Sequence, residues 1–210
     1  SHLQGQEGRR GLLDPAVSRL ERVALVVILL VAAALRLAGN DWDDFQHHHP
    51  DERYITWVAT TIEFPSLGSL SRADWQPQTS TFNPFRWPPG AASEGIVVLQ
   101  DEPRDFAYGH VPLYLGVLAT RLVERLGPAL LSWLPAEWSL TADVLNGAGR
   151  IEFHHLAAVG RALTALVDVG TVWLTFALGR RLYGTAVGLL AAAFLALTVL
   201  HIQLAHFFTS

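Results

Sequence analysis

Hydrophobic residues along this chain gather into long runs, and a polar, aromatic-rich stretch separates the first run from the others. A bilayer-crossing helix needs about 20 apolar residues, and three segments meet that length. The first is 19–38, with an unbroken apolar core from Val23 to Leu35. The second is 156–179, which carries Arg161 and Asp168. The third is 185–208, solidly apolar to Leu200 and then dotted with His201, Gln203 and His206. A cleaved signal peptide is the competing reading of the first run, but no small-residue cleavage site precedes the acidic residues after it. A fourth run begins at Val111 and is interrupted by Arg121, Glu124 and Arg125. Leu118, Leu122 and Leu126 share one helical stripe there, and the charges share another. That pattern predicts a helix lying on a membrane surface over 111–126.

Charge places the ends of these segments. Arg9, Arg10, Arg19 and Arg22 precede or open the first span, and Arg180–Arg181 lie between the second and third. The positive-inside rule puts both groups in the cytoplasm. Residues 1–18 are then a cytoplasmic tail, 180–184 a cytoplasmic turn, and 39–155 one extracytoplasmic loop. Counting the 111–126 segment as a further span would put Arg180–Arg181 outside, so parity also assigns it to the surface. The sequence predicts an all-α, multi-pass protein of the cell membrane: three transmembrane helices and a large outer loop with interfacial helices.

Composition narrows the chemistry. The chain has 210 residues, half of them hydrophobic, with no cysteine, methionine or lysine and a net charge of -4. Absent cysteine rules out disulfides, thiolate metal sites and thiol catalysis. No basic stripe exists to neutralise nucleic-acid phosphates. The chain starts at Ser1 and stops at Ser210 just after an apolar run, so we expect a piece of a longer protein that is inactive alone.

The outer loop opens on Asn40-Asp41-Trp42-Asp43-Asp44-Phe45-Gln46-His47-His48-His49-Pro50-Asp51-Glu52-Arg53-Tyr54. Pro50 suits a first helical position, and Asp51 and Glu52 suit the positive end of the dipole. Tyr54, Trp57, Val58 and Ile62 fall on one face of the helix that follows, near 50–63. The plain reading is an amphipathic helix resting on the membrane. The functional reading adds that Asp51 stands at the outer surface, where an ionised carboxylate can accept a proton from a substrate. Asp43 and Asp44 are a rival pair, read as loop acids. Imidazole and carboxylate suit a divalent metal, which makes His49 with Asp51 a candidate metal pair. Consecutive residues cannot all face one ion, and interfacial polarity is the alternative for His47–His49. From Ser66 to Arg104 the loop is rich in Pro, Gly, Ser and aromatic residues and is expected to be irregular. His110 stands just before Pro112 at a helix start, where an anion could bind. Arg161 and Asp168 are seven apart and share a helical face. Arg36 at the end of the first span is expected to snorkel to the headgroups, and His201, Gln203 and His206 to anchor the interface.

The order of these motifs resembles a known family. It comprises the Arg-flanked first span, His49-Pro50-Asp51-Glu52-Arg53-Tyr54, Tyr108-Gly109-His110-Val111-Pro112-Leu113-Tyr114, Gly160-Arg161-Ala162-Leu163 and Arg180-Arg181-Leu182-Tyr183-Gly184. Together they resemble the N-terminal part of the C-type (GT-C fold) glycosyltransferases. The nearest branch is that of the protein O-mannosyltransferases and aminoarabinose transferases, with bacterial relatives called family 39-like. The resemblance implies an integral membrane enzyme that moves a sugar from a polyprenyl-phosphate carrier to an extracytoplasmic acceptor: protein, lipid or glycan. It further implies a catalytic or acceptor-orienting acid at Asp51, with Glu52 beside it to orient it or to help hold a divalent ion. The family's basic residue near the donor phosphate maps onto His110, although this chain reads His110-Val111-Pro112 where relatives carry Lys-Pro-Pro or His-Pro-Pro. A second family acid would follow the third span, beyond Ser210. Within that frame Arg161 is a second candidate for the donor phosphate. Two other readings are open: a transporter using Arg161 and Asp168 as coupling residues, and a non-catalytic membrane protein whose outer loop binds a partner.

Overall fold

The protein is described from a computed structural model, which covers residues 18–44, 46, 48–64, 71, 76, 80–88, 103–130, 151 and 153–209. The described residues contain six helices and no strand: α1 (Arg19–Leu37), α2 (Pro50–Thr60), α3 (His110–Leu130), α4 (Phe153–Tyr183), α5 (Thr185–Ala196) and α6 (Val199–Ala205). Most of the expected irregular segment between Ser66 and Arg104, and the N-terminal tail, lie outside the described residues. The chain forms two compact units. The first comprises Ser1–Gly39 with Ala165–His206, and the second Asn40–Thr164 with Phe207–Ser210, so α4 contributes to both.

In the first unit, α1 starts on a capping box. Ser18 Oγ accepts from the Glu21 amide at 3.2 Å, and the Ser18 amide donates to Glu21 Oε2 at 2.7 Å. These bonds satisfy two of the amides that a helix start leaves unpaired. The helix ends at Ala38, and Gly39 follows at φ 72°, a left-handed position suited to glycine. Ala32, Val172, Phe176, Ala192 and Ala196 form the core of this unit. Arg180–Arg181, expected in a turn, instead form the last turn of α4, where cations favour the negative end of the helix dipole. The turn itself falls to Gly184 at φ 95°. Beyond it α4 and α5 approach backbone to backbone: a Cβ on Gly188 would lie 2.7 Å from the Phe176 carbonyl oxygen.

The segment expected as one helix over 185–208 is broken. Helices α5 and α6 meet at a bend of 58°. The break frees carbonyls at the end of α5, and Arg36 of α1 takes them: Nη1 donates to Ala196 O at 2.9 Å, and Nη2 to Leu195 O at 3.3 Å. Arg36 Nε meets Asp168 Oδ2 at 2.5 Å, and the other Asp168 oxygen pairs with His201 Nδ1 at 3.0 Å. Arg36 therefore does not snorkel; it is wholly buried as an ion-pair partner and helix cap. His201 is likewise a partner of Asp168, and His206 contacts the Ile202 and Ala38 carbonyls.

Leu156–Tyr183, within α4, is long and apolar enough to cross a membrane, with a mean hydropathy of 1.6. The bent pair α5 and α6 qualifies as a second crossing if counted as one span. Helix α1 has 19 residues and carries Arg19, Glu21, Arg22 and Arg36. In the second unit, Ile55, Val58 and Ile62 of the α2 region pack with Leu113, Val117, Leu156 and Phe208.

Candidate functional site

The site is built on the start of α2. His49 is the N-cap in an extended conformation, and its Nδ1 accepts from the Glu52 amide at 3.4 Å. Pro50 opens the helix, so Asp51 and Glu52 leave its first turn in different directions. Asp51 is half-buried, and its Oδ1 accepts a hydrogen bond from the Tyr108 hydroxyl at 2.9 Å. That bond favours the protonated phenol and raises the Tyr108 pKa, so Tyr108 remains a donor at neutral pH. Asp51 Oδ2 has no protein partner among the described residues.

Glu52 points into the unit and is fully buried together with Asp43 and Arg161. Arg161 Nε donates to Glu52 Oε1 at 2.8 Å and Nη2 to Glu52 Oε2 at 2.6 Å. Nη1 and Nη2 also reach the two Asp43 oxygens at 2.8 and 2.9 Å, and Nη1 adds the Asn40 carbonyl at 2.8 Å. A guanidinium has five N–H donors, and all five are committed. Hydrogen bonding from Arg161 lowers the Asp43 pKa to about 2. Trp42 lies against the same guanidinium, with its ring centre 5.5 Å from Cζ. Glu52 Oε1 also accepts from the Phe208 amide at 2.7 Å. The Phe208 ring fills the space between α3 and the start of α4: a Cβ on Gly116 or Gly160 would lie 2.4 or 2.3 Å from its atoms. Glycine is required at both positions by this close approach.

Three sequence expectations change as a result. Glu52, expected to assist Asp51 chemically, has both oxygens occupied and holds the scaffold instead. Arg161, expected at a donor phosphate, has no N–H left to offer one. Asp43, expected as a loop acid, is a buried partner of Arg161. Arg161 and Asp168 do not form a joint feature either, since Asp168 pairs with Arg36 and His201.

One face of α2 borders an open groove of about 430 Å³, lined by Pro50, Arg53, Tyr54, Trp57 and Phe153. Tyr54 is held by a hydrogen bond from its hydroxyl to the Asp105 carbonyl and by contacts with Phe106 and Tyr108. Arg104 braces Trp57 from within, its guanidinium carbon 4.8 Å from the ring centre. Burial lowers the Arg104 pKa. Its Nε donates to the Pro84 carbonyl at 2.7 Å and its Nη2 to Thr61 Oγ1 at 3.2 Å. His110 is exposed at the first position of α3, with its ring among Phe85, Phe106 and Tyr114.

Among the described residues, no group of three or more His, Cys, Asp and Glu side chains is placed to hold a metal. His49 Nδ1 is engaged as the helix cap, which leaves only Nε2 to join Asp51 at an ion. His47 lies outside the described residues. Arg104 and Phe208 had no sequence signal of their own, and Tyr108 had one only as the first residue of a motif, with no role attached to it. Each matters through a partner 20 to 156 positions away. The chain matches no family model, no curated protein and no solved structure.

Proposed function

We propose that this chain is part of an integral membrane glycosyltransferase that moves a sugar from a polyprenyl-phosphate donor to an extracytoplasmic acceptor, with Asp51 as the base. One observation carries this reading. Asp51 is fixed by Tyr108 through one oxygen, has no partner for the other among the described residues, and directly follows Pro50, which lines an open aromatic groove together with Arg53. Asp51 Oδ2 takes the proton of an acceptor hydroxyl as that oxygen bonds to the anomeric carbon. The bond from that carbon to the phosphate oxygen breaks, and polyprenyl phosphate leaves. A phosphate is already a good leaving group, so the protein must supply a base, orientation and shelter from water. Within this reading Glu52, Asp43 and Arg161 are positioning residues that hold the start of α2. His110, exposed at the start of α3, is the remaining candidate for the donor phosphate.

The membrane setting is part of the proposal. Three spans, 19–38, 156–179 and 185–208, would place the site outside the cytoplasm in a multi-pass plasma-membrane protein with a GT-C-type arrangement. The first unit supports this setting, since Leu30, Val167 and Phe194 are 61–74% exposed. An apolar exterior of this kind suits hydrocarbon better than water. A transporter is the second reading. The observation favouring it is Asp168, shared between Arg36 and His201 within the helices expected to span the bilayer.

The test is transfer of radiolabelled sugar from polyprenyl-phosphate donors by membranes carrying the complete protein. General bases contribute about 10²–10⁴-fold, and Asp51→Asn should lose activity on that scale. Near-normal turnover by Asp51→Asn would remove Asp51 from its role. Absence of transfer from every such donor would remove the glycosyltransferase.

A further inference from the structure

Helix α3 has two apolar faces. Leu113, Gly116, Val117 and Thr120 are buried in the second unit. On the opposite side, Val111, Leu115, Leu118, Leu122 and Leu126 are 41–69% exposed. At 3.6 residues per turn these five fall within an arc of about 80°. A helix between a protein core and water would carry polar residues there; this one carries an unbroken aliphatic stripe.

The charges around the stripe are arranged unevenly. Arg121 and Arg125 lie on one flank of it, with Arg125 exposed and the Arg121 side chain 38% exposed. The acid between them, Glu124, is turned inward: its Oε1 accepts from the Ile151 amide at 2.6 Å and its Oε2 from Arg121 Nη1 at 3.0 Å. The accessible rim is therefore cationic. The exposed face holds Val, Leu and Ala, whereas protein contacts of high energy draw on Trp, Tyr and Arg and use Leu and Val sparingly. An aliphatic stripe with cations along one edge fits a bilayer leaflet.

We infer that the outer face of α3 docks into a lipid leaflet, with Arg121 and Arg125 engaging the phosphates of anionic phospholipids. This rests on the membrane reading given under Proposed function and adds to it the depth of α3 and the class of lipid.

These 210 residues hold no cysteine; single substitutions Leu118→Cys and Leu122→Cys in the full-length protein, with any cysteine elsewhere in it replaced by serine, give unique spin-label sites. Leu174→Cys, on the exposed apolar side of α4, is the reference. The labelled proteins go into nanodiscs of phosphatidylcholine alone or mixed with phosphatidylglycerol. Collision with oxygen reports hydrocarbon, and collision with a water-soluble nickel chelate reports water. Labels on α3 should favour oxygen, more strongly with phosphatidylglycerol. Arg121→Gln and Arg125→Gln should each reduce the lipid-facing population about fivefold in the anionic discs. Water-accessible α3 labels beside a lipid-facing Leu174 label would overturn the inference and leave the membrane reading intact. Water access at all three sites would overturn both. Shielding of α3 from both reagents would assign the face to a protein partner and overturn the inference. Equal behaviour in the two lipid mixtures would overturn the anionic component.

Discussion

Arg36 in the first unit and Arg161 in the second are both completely buried, and their surroundings differ. Arg161 gives four of its five N–H groups to the carboxylates of Asp43 and Glu52, so its cluster carries one net negative charge. Arg36 gives one N–H bond to Asp168 and the rest to the carbonyls of Ala32, Leu195 and Ala196. There one cation, Arg36, meets one carboxylate, Asp168. The surroundings explain the difference. The first unit presents aliphatic side chains outward, and peptide dipoles can satisfy a cation there without adding charge. The second unit includes much of an acidic loop, where paired carboxylates can be gathered around one guanidinium. The difference teaches that two arginines, both lying in segments expected to span the bilayer, do separate work: one caps a broken helix, and the other joins three distant segments.

The largest effect should come from Arg161→Leu. It leaves two carboxylates buried without a cation, and breaking such a pair costs about 3–5 kcal/mol. The second unit should lose protection in limited proteolysis while the first unit keeps it. Adding Asp43→Asn and Glu52→Gln should restore part of that protection, and no recovery would show that shape rather than charge is the basis of the cluster. Arg36→Gln should cost less, about 1.5–3 kcal/mol for a charge-assisted hydrogen bond, because Asp168 retains some solvent and His201. Hydrogen exchange should rise in the amides around Leu197 to His201 first, where the carbonyl cap is lost. A rise spread evenly over both units would erase the distinction between cap and hub. The smallest effect should appear in acid. Folding lowers the Asp43 pKa from about 4 to about 2, so its stabilisation is complete above pH 4 and drains as pH falls through 2. Trp42 fluorescence should report that loosening, and Asp43→Asn should abolish this pH dependence.

Most helices were legible in sequence, and most of the pairings were not. The apolar run of 19–38 emerges as α1, and Pro50 before two acids marks the start of α2 because proline and helix-dipole rules act within one turn. Helix α3 carries the expected leucine stripe on its outer face. The break between α5 and α6 was invisible because its carbonyls are satisfied by Arg36, about 160 positions earlier. Glu52 was misread for the same reason. Its neighbour Asp51 bonds to Tyr108, but Glu52 turns to Arg161, 109 positions away, and local periodicity carries no information about that partner. Asp51 itself was legible as a helix-start acid, while its Tyr108 bond depended on the fold.

Glu52 must also wait. Its last hydrogen bond comes from the Phe208 amide, 156 positions later. At ribosomal speeds of about 5–20 residues per second, the carboxylate exists for roughly 8–30 s before that amide is made. The clamp on α2 is therefore completed only after the 40–155 segment and the helices that follow it, through α6, have been translated. A stalled or truncated nascent chain lacking Phe208 would carry Asp51 on an unfinished support.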